Sequence, residues 1–206
     1  MKPFIITLLV ALATTITACS NNDKEKINLS ELPYYNYLKE QNPVITINVK
    51  GYGKMTAQLF PDVAPNTVNN FITYILDQEF DGSKFHRVIE DFMIQGGMVN
   101  NTKNPIRGDF SSNGFSNSLE HDRGVLSMAR TYMPNSATSQ FFVMHQKSPH
   151  LDGQYASFGA LISGFDVLDK IATVNTNSGD APIDNVVIES ITVELNGYEV
   201  GEVIYN

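Results

Sequence analysis

The stretch "VITINVKGYGKMTAQLF", residues 44–60, constrains the fold more than any other. Ile45, Ile47 and Val49 alternate with Thr46, Asn48 and Lys50, "GYG" turns the chain, and Met55, Ala57 and Leu59 resume the alternation. Successive side chains of a strand point to opposite faces, so a period of two along both arms predicts a β-hairpin with one buried face. The period then changes. In "APNTVNNFITYILDQ", Val68, Phe71, Ile72, Ile75 and Leu76 recur at helical spacing behind Pro65, Asn66 and Thr67, residue types suited to a helix start. Further on, "GVLSMAR", "SQFFVMH" and "YASFGALI" read as short strands separated by loops rich in Gly, Pro, Asn and Ser. "SGFDVLDKIATV" predicts a second short helix through Phe165, Leu168 and Ala172, and "DNVVIESITVEL" a closing strand. Asn196 and Gly197 predict one last hairpin, "VELNGYEVGEV". With no β-α-β alternation and no internal repeat, the expected fold class is mainly β: an antiparallel sheet closed into a barrel, with two helices over its ends.

Composition narrows the function. The chain of 206 residues carries 22 acidic and 14 basic side chains, a formal net charge of -8, so nothing favours an electrostatic grip on nucleic acid. At 42% hydrophobic and 17% charged residues it belongs with folded, not disordered, chains.

The beginning of the chain reads as a targeting segment. Lys2 precedes an apolar run from Phe4 to Ala13, too short for a permanent bilayer span and the right size for a secretory core. It ends in "ITAC", and Cys19 is the only cysteine. This arrangement resembles the lipobox of a bacterial lipoprotein, in which cleavage falls before the cysteine and lipid is attached to its sulfur. A plain signal peptide with a chance cysteine is the alternative. The expected division is therefore a lipoprotein signal peptide over 1–18, a lipidated cysteine, tether and extension over 19–42, and a folded domain over 43–206 with a short C-terminal extension. The polar stretch "SNNDKEKINLSE" is the tether, with a reach of about 40 Å when extended. In "LPYYNYLKE" we expect a short amphipathic helix whose tyrosines pack against the domain.

The chemistry is expected around "KFHRVIEDFMIQGG", where Arg87 and Gln95 stand among Phe92, Met93 and Ile94. Strand alternation puts Met93 and Gln95 on one face and Ile94 on the other; in "SQFFVM" it likewise joins Gln140 to Phe142 and turns Phe141 and Val143 inward. Each strand then offers a glutamine beside a large apolar side chain on the outer wall of the barrel. A greasy outer wall holding amides and one cation is a binding surface. Taken alone, Arg87 reads more readily as a structural ion pair to Glu90, Asp91 or Asp109, and Phe92, Met93 and Phe142 taken singly read as core. The four histidines, His86, His121, His145 and His150, have no metal-ligand spacing, and neither a nucleophile elbow nor a Ser-His-Asp order is evident.

Three blocks, "FHRVIEDFMIQGG", "GVLSMARTYMPNSATSQFFVM" and "HLDGQYASFG", resemble the signature blocks of the cyclophilin family of peptidyl-prolyl cis/trans isomerases, and the likeness runs from about Pro43 to Leu195 in the family's order and spacing. The resemblance implies an eight-stranded antiparallel barrel capped by two helices. It implies that Arg87 is the catalytic arginine, with Gln95 and Phe92 beside it. By position, Phe92, Met93, Phe142 and Leu151 match the pocket for the proline ring, Gln95 and Gln140 the amides that bind substrate or orient the arginine, and Ala129 and Arg130 the segment whose backbone pairs with an extended peptide. His150 and Tyr155 complete the substrate-binding set. No cofactor or metal is implied. Departures from the family are Arg130 where many members have asparagine, His150 where many have a tryptophan that contacts cyclosporin, Tyr155 in place of a histidine, and Met98 after "GG". His150 predicts weaker cyclosporin inhibition, and Met98 with the loop over 100–110 is expected to reshape one rim. Arg87 and Arg130 together predict a preference for neutral or acidic residues beside the proline.

The function expected is acceleration of X-Pro rotation in proline-containing segments of exported or envelope proteins, by a monomer anchored to a membrane through Cys19. A peptide-holding chaperone or scaffold using the same groove is the rival, since holding needs the pocket but not the arginine. A structural lipoprotein, with the barrel as spacer, would not keep the groove.

Overall fold

The structure, a computed structural model, describes residues 27–206. The proposed signal peptide and Cys19 lie outside the described residues. Two strands, β1 (Val44–Val49) and β2 (Gly53–Leu59), form the expected hairpin, with Val44 opposite Gln58 and Val49 opposite Gly53. Its turn needs Gly51 at φ +79°, a backbone region that a side chain disfavours. Helix α1 follows (Pro65–Leu76), then β3 (Lys84–Phe85), β4 (Arg87–Ile89), β5 (Met93–Gly96), β6 (Val125–Met128), β7 (Phe141–Met144), β8 (Ser157–Ser163), α2 (Phe165–Ala172) and β9 (Val186–Glu194).

The nine strands run β3-β9-β1-β2-β8-β6-β7-β5-β4, and every assigned pairing is antiparallel. The first and last, β3 and β4, are halves of one stretch bent at His86, whose N–H donates to the carbonyl of Gln95. Counted as one bent strand, residues 84–89 close the sheet into a barrel of eight, which reconciles the nine segments with the expected eight.

Alternation sorts side chains into two apolar clusters. Ile45, Ile47, Met55, Leu59, Ile94, Phe141 and Val143 fill the barrel interior with the apolar face of α1. There Phe71 meets Phe80, Phe141 and Phe158 at ring centroid distances of 5.0, 5.1 and 5.0 Å. Met93, Phe142, Met144, Val125 and Leu151 form a second cluster on the outer wall. Leu76, expected on the buried face of α1, is instead exposed, since at the last turn it has rotated off the apolar stripe. The first turn of α1 has no capping side chain of its own. The buried carboxylate of Asp109 supplies one, accepting from the Thr67 N–H (2.8 Å) and hydroxyl (3.0 Å).

The two chain ends depart from expectation. "LPYYNYLKE" forms not an α-helix but a 3₁₀ turn over Tyr35–Tyr37 after an earlier one over Leu29–Glu31, with Pro33 and its missing N–H between them. Its tyrosines do pack: Tyr34 is buried with its hydroxyl donating to the Leu161 carbonyl (2.8 Å), and Tyr37 stacks on Phe60. At the other end Asn196 and Gly197 make the turn in left-handed backbone, yet no hairpin follows. Strand β9 is paired with β1 as far as Glu194, whereas β3 meets it only at Val186 and Val187. The tail instead crosses α1, where the Gly201 N–H donates to Asn69 Oδ1 and the Ile204 N–H to Asn66 Oδ1.

Candidate active site

Sheet register lays the candidate residues in one row. Arg87 on β4 pairs with Gln95 on β5, Gln95 with Phe142 on β7, and Phe142 with Ser127 on β6. Directly opposed residues share a face, so all four lie on the outer wall. One step along β5, Met93 lies opposite Met144.

The row opens into a hollow of about 150 Å³ lined by Arg87, Phe92, Met93, Gln95, Ala129, Arg130, Phe142, Leu151 and Tyr155. Two of the expected site residues stand just behind it. Gln140 accepts from Gln95 Nε2 through its Oε1 (3.0 Å), and His150 stacks on Phe92 with centroids 5.8 Å apart. Larger hollows, near Tyr37 and Asp62 (about 300 Å³) and near His86 and Met98 (about 240 Å³), share no lining residue with this one. Met98 therefore borders a different hollow and does not shape the rim beside Arg87.

The arginine's ion pair is not with Glu90, Asp91 or Asp109. Its Nε donates to Asp180 Oδ2 at 3.3 Å, and both side chains remain partly exposed. Sequence proximity suggested the other three carboxylates, whereas the fold brings in a residue 93 positions away. Arg130 is held quite differently. Its Nε and Nη2 donate to the Gln154 carbonyl (3.1 and 2.8 Å) and Nη1 to the Thr131 carbonyl (2.9 Å). The guanidinium carbon sits 4.6 Å from the ring centre of Tyr155 and 5.1 Å from that of Phe110.

Beneath Phe142 lies a polar chain that sequence order did not reveal. His121, fully buried, places Nδ1 2.9 Å from Asp152 Oδ1 and Nε2 3.0 Å from Ser127 Oγ, and its ring stacks on Phe142. A Ser-His-Asp set thus exists in space. Ser127 is also fully buried, so no substrate reaches it, and the set braces the hollow's floor. Burial holds the His121 pKa below its ordinary value, against the raising effect of Asp152. Burial likewise lowers that of His86. Among the described residues no three His, Cys, Asp or Glu side chains gather as a metal ion would require.

Residues 44–193 match the family model described as cyclophilin type peptidyl-prolyl cis-trans isomerase/CLD. The chain belongs to the cyclophilin family. Among relatives, it is 40% identical over 160 residues to peptidyl-prolyl cis-trans isomerase B of Escherichia coli K12, covering 69% of this chain and 94% of that one. It is 34% identical over 189 residues to peptidyl-prolyl cis-trans isomerase-like 2 of Cryptococcus neoformans, covering 86% of this chain but only 32% of that longer protein. The crystal structure of a Cryptosporidium parvum cyclophilin type isomerase superposes with a TM-score of 0.68 at 28% identity, over 74% of this chain and 98% of that one. The same parasite protein in the presence of the dipeptide Ala-Pro superposes with a TM-score of 0.65 at 28% identity, over 73% and 98%. These relatives are all described as peptidyl-prolyl cis-trans isomerases.

Proposed function

We propose that this cyclophilin turns X-Pro bonds of exported polypeptides at the cell envelope, as a monomer held by lipid at Cys19, with Arg87 as its catalytic group. An X-Pro bond rotates slowly because amide resonance gives it partial double-bond character, with a barrier of roughly 20 kcal/mol and a time of about 10 to 100 s. No covalent bond is broken. The twisted state has a pyramidal nitrogen that regains a lone pair, and a guanidinium donating to that nitrogen stabilises the twisted state more than the planar one. Lowering the barrier by about 7 kcal/mol speeds exchange roughly 10⁵-fold.

Each neighbour has a part. Phe92, Met93, Phe142 and Leu151 hold the proline ring, the backbone at Ala129 and Arg130 pairs with the extended chain, and Gln95, steadied by Gln140, binds the substrate carbonyl. Tyr155 closes the floor and His150 supports Phe92. Neither redox chemistry nor a Lewis acid enters, so no cofactor takes part. The observation that carries this reading is Arg87 at the rim of a hollow in which Phe92, Met93, Phe142 and Leu151 gather on one side. The Ala-Pro dipeptide in the parasite relative supports a proline-bearing substrate.

The test measures relaxation of an X-Pro peptide with and without the full chain, beside Arg87→Ala. Strong acceleration that the substitution removes is expected. Peptide binding without acceleration would instead make the protein a holding chaperone. For the anchor, Cys19→Ala is expected to move the protein from the membrane to the soluble fraction, and an unchanged distribution would overturn that part.

A further inference from the structure

Between α2 and β9 the chain forms a loop tied to itself. Asn177 is its knot: Oδ1 accepts the N–H groups of Gly179 (2.9 Å) and Ala181 (3.1 Å), while its own N–H donates to the Ala181 carbonyl (2.9 Å). The Asp180 N–H returns to the Asn177 carbonyl (3.1 Å), and the Ile183 N–H reaches the Asn175 carbonyl (2.9 Å). At the tip Asp180 adopts φ +62°, a left-handed conformation uncommon outside glycine and asparagine. From there it makes two bonds to one strand. Its carbonyl accepts the Val88 N–H at 2.8 Å, and its carboxylate accepts Arg87 Nε at 3.3 Å. Since β4 ends the strand order and pairs otherwise only with β5, this loop is what holds its outer side.

We infer that Asp180 is a positioning residue for Arg87, fixing the guanidinium through Nε so that both terminal nitrogens remain available to the substrate. The inference rests on Arg87 being the catalytic group. An arginine side chain carries several rotatable bonds, and unrestrained it points at the reacting nitrogen only part of the time. A bond at Nε, backed by a tied loop and a backbone contact at the next residue, removes that freedom before substrate arrives. Among the described residues Nη1 and Nη2 of Arg87 have no other partner.

Asp180→Gly makes a clean test, because glycine suits φ +62° better than aspartate does, so the loop backbone is not put at risk. With the full chain, kcat and KM for an X-Pro peptide are measured for the wild type, Asp180→Gly, Asp180→Asn, Arg87→Ala and the Arg87→Ala/Asp180→Gly double variant. The expected result is a roughly tenfold lower kcat in Asp180→Gly with KM almost unchanged. Asn, which keeps an acceptor, restores part of the loss. In the Arg87→Ala background the Asp180→Gly change does nothing further. The Arg87 Nε–H resonance, slow to exchange in the wild type, exchanges faster in Asp180→Gly. Activity within twofold of wild type in Asp180→Gly, or an equal loss in both backgrounds, overturns the inference. An Arg87→Ala chain with full activity sinks the reading of Arg87 itself, whatever the Asp180 variants do.

Discussion

Arg87 and Arg130 border the same hollow, one bound through Nε alone and the other through all three of its nitrogens. Arg130 also lies between two aromatic rings, so its charge is committed to holding the 130–132 and 154–155 segments together. The substitution of arginine for the asparagine common in the family thus adds a brace more than a free charge. A cation whose donors all meet protein carbonyls builds structure, and one with terminal donors left open is equipped for chemistry.

The largest expected effect lies at the open arginine. Arg87→Ala should lower kcat/KM by about 10²- to 10³-fold, as loss of one preorganised donor does elsewhere, with peptide affinity nearly kept. Peptide exchange rates and an independent binding titration check both halves. Arg130→Ala should reverse the pattern, costing roughly 1–2 kcal/mol of stability in denaturant unfolding and only a few-fold in rate. A loss at Arg130 equal to that at Arg87 would break the comparison.

Replacing His150 by tryptophan should tighten cyclosporin inhibition roughly 2- to 10-fold through added aromatic contact, measured by inhibitor titration, with both arginines left in place.

The smallest effect is a pH dependence that arises beneath the hollow. His121 has its folded pKa below 6.5, so above 6.5 both folded and unfolded chains are neutral there and pH has no effect through it. As pH falls below 6.5 the unfolded chain takes the proton first, and stability declines until the folded pKa is reached. Asp109, raised by burial, acts in the opposite sense at lower pH. The difference in unfolding midpoint between wild type and His121→Gln, followed from pH 7 to 5, isolates the histidine. A constant difference would remove His121 as its source.

Sequence alternation made much of this legible. The period of two separated Ile94, Phe141 and Val143 from Met93, Gln95 and Phe142, and that separation is the distinction between barrel interior and binding wall. Family likeness then assigned the wall a task. What stayed hidden depends on contacts far apart in the chain. Asp180 reaches Arg87 across 93 residues, Asp109 caps α1 across 42, and His121 gathers Ser127 and Asp152 from 6 and 31 positions away. None has a local pattern, because a carboxylate in a loop looks the same whether it meets solvent or an arginine. The failed final hairpin has the same origin: "NG" announces a turn but not that Asn66 and Asn69 on α1 hold the tail beyond it.

The bend at His86 has a consequence for how activity arises. The stretch that carries Arg87 is the seam of the barrel, joined to β9 about a hundred residues later on one side and to β5 on the other. Synthesis delivers the Asp180 loop and β9 after all the other strands, so the stretch that carries Arg87 gains its last partners only then. If Arg87 is the catalytic group, the onset of turnover during folding is expected to coincide with the moment the seam shuts.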